Sequence, residues 1–143
     1  MTTTPTILIA DDDEGHAILI RENLEATGLS NPIRHLRNGQ EVLDFFFREP
    51  ASAAGPFLVL LDIRMPKVDG IEVLRRLKAD ATLRKLPIIM LTTTDDAREV
   101  TRCHELGCNV YLQKPVDYDR FSDAIRRLGQ FVPLLHVPRL TPG

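Results

Sequence analysis

The sequence predicts an α/β fold of five strand–helix units, (βα)5, built on a parallel sheet with helices on both faces. Three observations support this prediction. Short apolar runs alternate with amphipathic stretches five times along the 143 residues. Three of the runs are almost continuously apolar, as strands covered on both faces are. A chain of this length can also bury roughly 68–70% of its unfolded surface in one core.

The apolar runs are the five predicted strands. They are Thr6–Ala10, Ile33–Leu36, Phe57–Leu61, 87–92 and 109–112. The first, third and fourth are the nearly continuous runs, so we expect helices to cover both of their faces.

Five helices are predicted after these strands, because apolar residues recur there on one helical face. The first ends near Gly28, and the fourth ends at Gly107, a natural C-cap. The predicted apolar faces are Ala17, Ile20 and Leu24; Val42, Phe45 and Phe46; Ile71, Leu74 and Leu77; Val100, Cys103 and Leu106; and Phe121, Ala124, Ile125 and Leu128.

Composition and charge argue against several classes of protein. Eighteen Lys and Arg residues against twenty Asp and Glu residues give a net charge of −2, without the basic face of a nucleic-acid-binding domain. The longest apolar runs have about five residues, whereas a bilayer span needs roughly 18. The N-terminus lacks the basic region of a signal peptide, and Cys103 and Cys108 form neither a disulfide framework nor a zinc site. We therefore expect a cytoplasmic protein that binds neither nucleic acid nor membrane.

We expect one domain, residues 1–130, followed by a tail, residues 131–143. The tail is apolar, and Pro133 and Pro138 prevent it from continuing the fifth helix. Two interpretations of the tail remain open: a disordered end, or an extended arm exchanged with a second subunit in a two-fold dimer. The small-residue segment 49–56 is expected to be a surface loop.

Charged and hydroxyl-bearing residues stand at the ends of four predicted strands. They are Asp11, Asp12 and Asp13 after the first strand, Asp62 after the third, Thr92 at the end of the fourth, and Lys114 after the fifth. Open α/β sheets bind ligands at the carboxyl ends of their strands. If the first and third strands are neighbours, about 4.8 Å apart, the carboxylates of Asp11, Asp12 and Asp62 converge there.

Converging carboxylates predict a divalent cation. Two such charges about 5 Å apart repel each other by roughly 3 kcal/mol at an effective dielectric of about 20, and Mg²⁺, which prefers carboxylate oxygens and water, removes that repulsion. Lys114 can neutralise a further negative group, and Thr92 offers a hydroxyl. Such groups around the carboxylate of Asp62 form a phosphoryl-transfer layout, in which Asp62 itself can act as the nucleophile.

These residues resemble the receiver domain of bacterial two-component response regulators, over about residues 7–128. The segment Leu-Leu-Asp-Ile-Arg-Met-Pro-Lys-Val-Asp-Gly around Asp62 looks like the family's phosphoacceptor motif. The spacings of 30 residues from Asp62 to Thr92 and 22 from Thr92 to Lys114 look like the family's as well. The resemblance implies a flavodoxin-like strand order of 2-1-3-4-5, and a phosphoacceptor switch rather than an enzyme: its only catalysis is its own phosphorylation and autodephosphorylation.

The resemblance also implies the roles of the acidic residues. Asp62 is the phosphoacceptor, and Asp12 and Asp62 bind Mg²⁺ directly. Arg64 offers its backbone carbonyl to the ion, and Asp11 acts through a metal-bound water.

Three further residues are implied to respond to the phosphoryl group. Lys114 pairs with Asp62 and then with a phosphate oxygen, Thr92 moves to hydrogen-bond the phosphate, and Tyr111 swings inward as the switch aromatic. The phosphoryl group adds up to about two negative charges and three acceptor oxygens. Its effect is expected on the face made by the fourth helix, fifth strand and fifth helix. The Lys114–Pro115 bond is implied to be cis.

Local patterns narrow the resemblance to small regulators that partner phytochrome histidine kinases. The patterns are the loop 49–56, the tail, and the segments Leu-Thr-Thr-Thr-Asp-Asp and Cys-His-Glu-Leu-Gly-Cys-Asn-Val-Tyr. They imply a sensor histidine kinase of the bacteriophytochrome type as the phosphodonor. The homodimer that we expect rests on the interpretation of the tail as an exchanged arm.

Two alternatives stay open at this point. A haloacid-dehalogenase-type phosphatase would use Asp11 and Asp13 as its first-strand acids, with Thr92 and Lys114, and would leave Asp62 without a role. A receiver that binds partners without being phosphorylated would keep the same fold. The four histidines, His16, His35, His104 and His136, lack ligand spacing and are interpreted as ordinary surface or edge residues.

Overall fold

The computed structural model describes residues 4–48 and 55–140. Its five parallel strands form one sheet in the order β2-β1-β3-β4-β5, which confirms the predicted fold. The strands are β1 (Thr6–Ala10), β2 (Ile33–Leu36), β3 (Phe57–Leu61), β4 (Ile88–Thr92) and β5 (Val110–Gln113). Each begins and ends within one residue of its predicted bounds, because the apolar runs that build the sheet interior are short and sharply delimited.

Five α-helices alternate with the strands in the described part of the chain. They are α1 (Glu14–Ala26), α2 (Gly39–Arg48), α3 (Gly70–Ala79), α4 (Ala97–Leu106) and α5 (Tyr118–Phe131). Aspartate side chains accept backbone N–H groups at the starts of α1, α3, α4 and α5, which satisfies donors that the first turn leaves free. Gly107 ends α4 with a φ of 105°, as its sequence position predicts.

Alternate residues of the central strands fill two separate apolar layers. Ile7 and Leu60 face the layer formed with α1 and α5, while Leu8 and Leu61 face the layer formed with α2, α3 and α4. All four are at most 2% exposed. Burial on both faces is the physical reason that β1 and β3 are continuously apolar.

The described part of the tail packs against its own chain. A 3-10 turn, Val132–Leu134, follows α5 directly, and Val132 is buried in the same layer as α5. Leu140 is 2% exposed and belongs to the layer on the opposite face of the sheet. The tail therefore reaches both apolar layers of its own domain. Residues 141–143, and residues 49–54 of the predicted surface loop, lie outside the described residues.

Among the described helices, none combines the length and apolar character that a membrane span requires.

Candidate functional site

Strand pairing brings two acidic residues to the same level of the sheet. Ala10 pairs with Leu61 in the β1–β3 ladder, so Asp11 and Asp62 follow side by side at the carboxyl ends of these strands. Carboxylate oxygens of Asp11, Asp12 and Asp62 all lie within 4.8 Å of one another. We call these three residues the acid edge. The structure thus contains the convergence that the strand ends predicted.

Asp13 is directed elsewhere, because its side chain caps α1. Its Oδ1 accepts the backbone N–H of His16 at 3.0 Å, and this hydrogen bond lowers the pKa of the Asp13 carboxyl. The phosphatase alternative needs Asp13 beside Asp11 as a second catalytic acid. With Asp13 committed to the helix and Asp62 brought to Asp11, the geometry does not support that alternative.

Lys114 supplies the positive charge at the acid edge. Its Nζ donates to Oδ2 of Asp11 at 2.5 Å and to Oδ2 of Asp62 at 3.4 Å. The side chains of Lys114 and Asp11 are both 2% exposed, so this ion pair is shielded from water. The Lys114–Pro115 bond is trans, and the expectation of a cis bond is wrong. The trans form is the lower-energy isomer by about 0.5–1 kcal/mol, and Lys114 reaches both carboxylates with it.

One ammonium does not balance three carboxylates. Burial is the largest cause that raises the pKa of Asp11, and the charge of Asp62 raises it further. Together these two effects outweigh the lowering by Lys114 and by the hydrogen bond from the Asp13 N–H. The excess negative charge and the set of hard oxygen donors fit a divalent cation such as Mg²⁺. Because Asp12 is exposed to solvent, an ion can reach the acid edge from that side.

The loop after β3 holds the backbone of Asp62 in place. Oδ1 of Asp62 accepts the N–H of Ile63 at 2.8 Å, and the N–H of Gly70 donates to the carbonyl of Ile63 at 2.8 Å. A Cβ atom on Gly70 would lie only 2.0 Å from the Asp62 carbonyl oxygen. The glycine that ends the phosphoacceptor-like motif is therefore required by close backbone contact behind Asp62.

Thr92 carries a buried hydroxyl without a hydrogen-bond partner. The residue ends β4, the strand next to β3, and is fully buried. Its Oγ1 contacts no donor or acceptor in the described part of the chain. Leaving a buried hydroxyl unpaired costs about 1–3 kcal/mol. Such a group is suited to a hydrogen-bond acceptor that arrives only in another state of the site.

Tyr111 and Arg64 both contact the region that follows Thr92. The hydroxyl of Tyr111 donates to the carbonyl of Thr94 at 2.9 Å, and burial raises the pKa of Tyr111 to about 12. The Arg64 guanidinium pairs with Glu99 of α4 at 2.5 Å. The loops after β3 and β4 are thus tied to α4 and β5 by these two contacts.

His16 lies at the site although the sequence indicated an ordinary surface histidine. Its Nδ1 is 3.2 Å from Nζ of Lys114, and its ring centroid is 5.7 Å from that of Phe121. One feature of the sequence indicates this position, namely the N-cap residue Asp13. It fixes His16 in the first turn of α1, which starts next to the acid edge. The contact itself also needs Lys114, nearly one hundred residues away in the chain, so helix periodicity alone does not reveal it.

The comparisons with known proteins agree with this geometry. The family model for the response regulator receiver domain matches residues 7–126. A receiver domain from Rhodospirillum rubrum superposes with a TM-score of 0.91 at 41% identity, covering 96% of this chain and 99% of that one. The phosphorylated cyanobacterial phytochrome response regulator RcpA gives 0.87 at 27% identity, with 95% and 99% covered. The Mn²⁺-bound form of the response regulator Rcp1 gives 0.86 at 27% identity, with 94% and 99% covered.

Neutralising Asp12 tests the charge imbalance at the acid edge. We expect Asp12→Asn to raise the free energy of unfolding by about 0.5–1 kcal/mol in metal-free, low-salt buffer, because it removes repulsion between partly exposed charges. Millimolar Mg²⁺ should stabilise the wild type more than the variant, since the variant has lost one negatively charged carboxylate ligand. Urea unfolding with EDTA and with Mg²⁺ measures both effects.

The control for this experiment is Asp123→Asn, the same change at an exposed position of α5. Its effect on stability should be the same with and without Mg²⁺. Equal stabilisation of the wild type and Asp12→Asn by Mg²⁺ would contradict the placement of the ion at the acid edge.

Proposed function

The chain belongs to the response regulator receiver family, and from this premise we propose that it is a two-component switch phosphorylated on Asp62 by a sensor histidine kinase. Receiver domains are phosphoacceptor switches and do not act on a separate substrate. The observation that carries the proposal is the set of groups at this edge of the sheet. Two further carboxylates and one buried ammonium lie beside Asp62, and the neighbouring strand β4 ends at Thr92 with an unpaired buried hydroxyl. Together these groups offer a nucleophile, a place for a cation, and donors for phosphate oxygens.

The proposed reaction transfers a phosphoryl group from a phosphohistidine to Asp62. A carboxylate oxygen of Asp62 forms a bond to phosphorus while the bond from phosphorus to the donor's imidazole nitrogen breaks, and the electron pair of that bond leaves with the imidazole. The Lys114 ammonium, 3.4 Å from Asp62 Oδ2, then donates to one phosphate oxygen. Hydrolysis of the acyl phosphate by water returns the protein to its starting state, which is the autodephosphorylation that we propose.

A bound Mg²⁺ supplies the positive charge that offsets the phosphate oxygens during this transfer. We propose that Asp12 and Asp62 hold the ion directly, that Arg64 contributes its backbone carbonyl, and that Asp11 contributes through a water. The acid edge supports this assignment because its three carboxylates present oxygen ligands within one ion's reach. Asp11 is the least suited to direct ligation because its Oδ2 is engaged by Lys114.

The switch in the proposed function is the pairing of Thr92 with the phosphate. A phosphoryl group on Asp62 gives the unpaired Thr92 hydroxyl an acceptor, so it favours a position of Thr92 closer to Asp62. The backbone of Thr92 continues into the loop that Tyr111 holds through Thr94. Movement at Thr92 therefore reaches Tyr111, β5 and the start of α4. The state with phosphate is favoured only by the contacts that it adds, typically about 1–3 kcal/mol.

We propose a kinase of the phytochrome type as the phosphodonor. The support is the likeness to RcpA, a phytochrome response regulator, together with the local sequence patterns in the loop and tail. Exposed apolar residues lie on segments that leave the acid edge: Ile18 on α1, and Val116 and Tyr118 at the start of α5. A kinase domain that delivers a phosphohistidine to Asp62 must approach from this side.

A cytoplasmic location and a homodimer complete the proposed function. Both cysteines, Cys103 and Cys108, are buried free thiols, as expected in a reducing compartment.

For the dimer, the supporting feature is the open edge of the sheet at β5, where Val110 is 42% exposed. An apolar groove of about 600 Å³ lies between β4–β5 and α5, and Phe131 and Leu134 are exposed near it. We propose that two copies pair through this face, because Leu140 of the tail is already buried in its own domain.

Phosphoryl uptake on Asp62 is the first prediction of this function. Incubation with acetyl phosphate and Mg²⁺ should add the mass of one phosphoryl group to the intact protein, and omission of Mg²⁺ should abolish the gain. Asp62→Asn should take up none, because an amide is not a nucleophile of this kind. Uptake that persists in Asp62→Asn, or the absence of any uptake from acetyl phosphate and from a histidine kinase alike, would contradict the proposal.

Replacing Thr92 by valine tests two effects of its hydroxyl: the destabilisation caused by its burial without a partner, and its role in the response to phosphorylation. Thr92→Val should raise the free energy of unfolding by about 1 kcal/mol, because it removes an unpaired buried hydroxyl and keeps the side-chain shape. In the phosphorylated protein it should abolish the shifts of the amide resonances of residues 93–96 that the wild type shows. The exposed Thr101→Val on α4 is the matched control. Destabilisation by Thr92→Val comparable to the loss of a hydrogen bond would show that the hydroxyl is already paired.

The dimer proposal is tested by light scattering. We expect the mass of two chains at tens of micromolar and the mass of one chain for Val110→Lys, because a charge on the open edge strand prevents pairing. Ile18→Lys makes the same change at an exposed apolar residue of α1 and should leave the mass unchanged. A mass of one chain for the wild type, with and without phosphorylation, would rule out the homodimer.

A further inference from the structure

The Lys114 ammonium has three acceptors around it, and one of them is uncharged. Its Nζ lies 2.5 Å from Asp11 Oδ2, 3.4 Å from Asp62 Oδ2 and 3.2 Å from Nδ1 of His16. An ammonium has three N–H donors and no acceptor. Each donor can therefore meet one of these partners. Nδ1 of His16 also lies 3.7 Å from Oδ2 of Asp13, which is a longer contact than the 3.2 Å to Lys114. We assign Nδ1 as the acceptor toward Lys114, which places the proton of the ring on Nε2.

Two further contacts hold the imidazole in place. The backbone N–H of His16 donates to Asp13 Oδ1 at 3.0 Å, so the residue is fixed in the first turn of α1. The ring lies against the ring of Phe121, with centroids 5.7 Å apart and planes inclined by 31°. Since Phe121 belongs to α5, the His16 ring lies between the first turns of α1 and α5. In this position its Nδ1 is close to Lys114.

The two carboxylates compete for Lys114, and Asp11 has the advantage. Asp11 is the closer acceptor, and its side chain is 2% exposed, against 10% for Asp62. Lys114 Nζ is already in close contact with Asp11 Oδ2, so an ammonium free to turn away would first lose the longer, 3.4 Å contact with Asp62 Oδ2. Nδ1 of His16 opposes such a displacement, because it accepts one N–H of the ammonium without adding a negative charge. The positive charge of Lys114 thus remains directed at both carboxylates.

We infer that His16 is a positioning residue, which holds the Lys114 ammonium between Asp11 and Asp62 so that it can meet the phosphoryl group on Asp62. This inference rests on the proposed function of Asp62 and adds to it a residue outside the set of acids, lysine and threonine. His16 touches neither the phosphoryl donor nor the reacting oxygen in this role. It acts through Lys114 alone.

The experiment compares His16→Leu, which removes the acceptor, with His16→Asn, whose Oδ1 stands close to the place of the imidazole Nδ1. His136→Leu, an exposed histidine of the tail, is the matched control. The first readout is the ¹⁵N NMR resonance of the Lys114 ammonium in the metal-free, unphosphorylated protein, identified by its loss in Lys114→Met. The second is the initial rate of Mg²⁺-dependent phosphorylation by acetyl phosphate, followed by intact mass.

We expect His16→Leu to shift or broaden the Lys114 resonance and to slow phosphorylation about three- to tenfold, the effect of one lost hydrogen bond. His16→Asn should restore both, and His136→Leu should change neither. An unchanged Lys114 resonance in His16→Leu, or a slow rate that His16→Asn does not restore, would overturn the inference. If the wild type takes up no phosphoryl group, the proposed function fails, and the Lys114 resonance alone then decides whether His16 positions the ammonium.

Discussion

The charge imbalance at the acid edge is the constraint on which the rest of the site depends. Three carboxylates meet within 4.8 Å, and a single buried ammonium, that of Lys114, faces two of them. Three features reduce the electrostatic repulsion in this arrangement. Asp12 is exposed to solvent, one backbone N–H donates to Asp11, and another donates to Asp62. What remains is a site with excess negative charge that fits a divalent cation, and in the proposed function Lys114 and Thr92 donate to phosphate oxygens there.

The proposed switch depends on the packed surroundings of Asp62. Asp62 follows a strand buried on both faces, and its backbone is backed by Gly70, where a larger residue would collide with the Asp62 carbonyl. In the proposed function, Asp62 therefore keeps its position when it is phosphorylated. The group free to change partners is the hydroxyl of Thr92, which has none in the described structure. The loop that follows Thr92 is tied to β5 through the hydrogen bond from Tyr111 to Thr94. A new hydrogen bond of the Thr92 hydroxyl would thus be coupled to the face proposed for dimerisation.

Much of this could be predicted from the sequence, since the information is local or periodic. Continuous apolar runs identified the buried strands, and polar residues at the strand ends identified the acid edge once β1 and β3 were neighbours. The contact of His16 with Lys114 was missed, because it depends on how α1, α5 and β5 come together rather than on spacing in the chain. The burial of Leu140 likewise depends on a tail path that crosses from one apolar layer to the other. The cis Lys114–Pro115 bond, taken from the resemblance, was wrong.

The most direct test of the central claim is an NMR titration of the protein with Mg²⁺ in low-salt buffer. We predict saturation at one ion per chain, with the largest shifts at the backbone amides of residues 11–13 and 62–64 and at the Lys114 ammonium. Asp62→Asn should weaken the binding strongly. Absence of saturable shifts, or shifts centred on another part of the molecule, would contradict the claim that the acid edge binds a divalent cation.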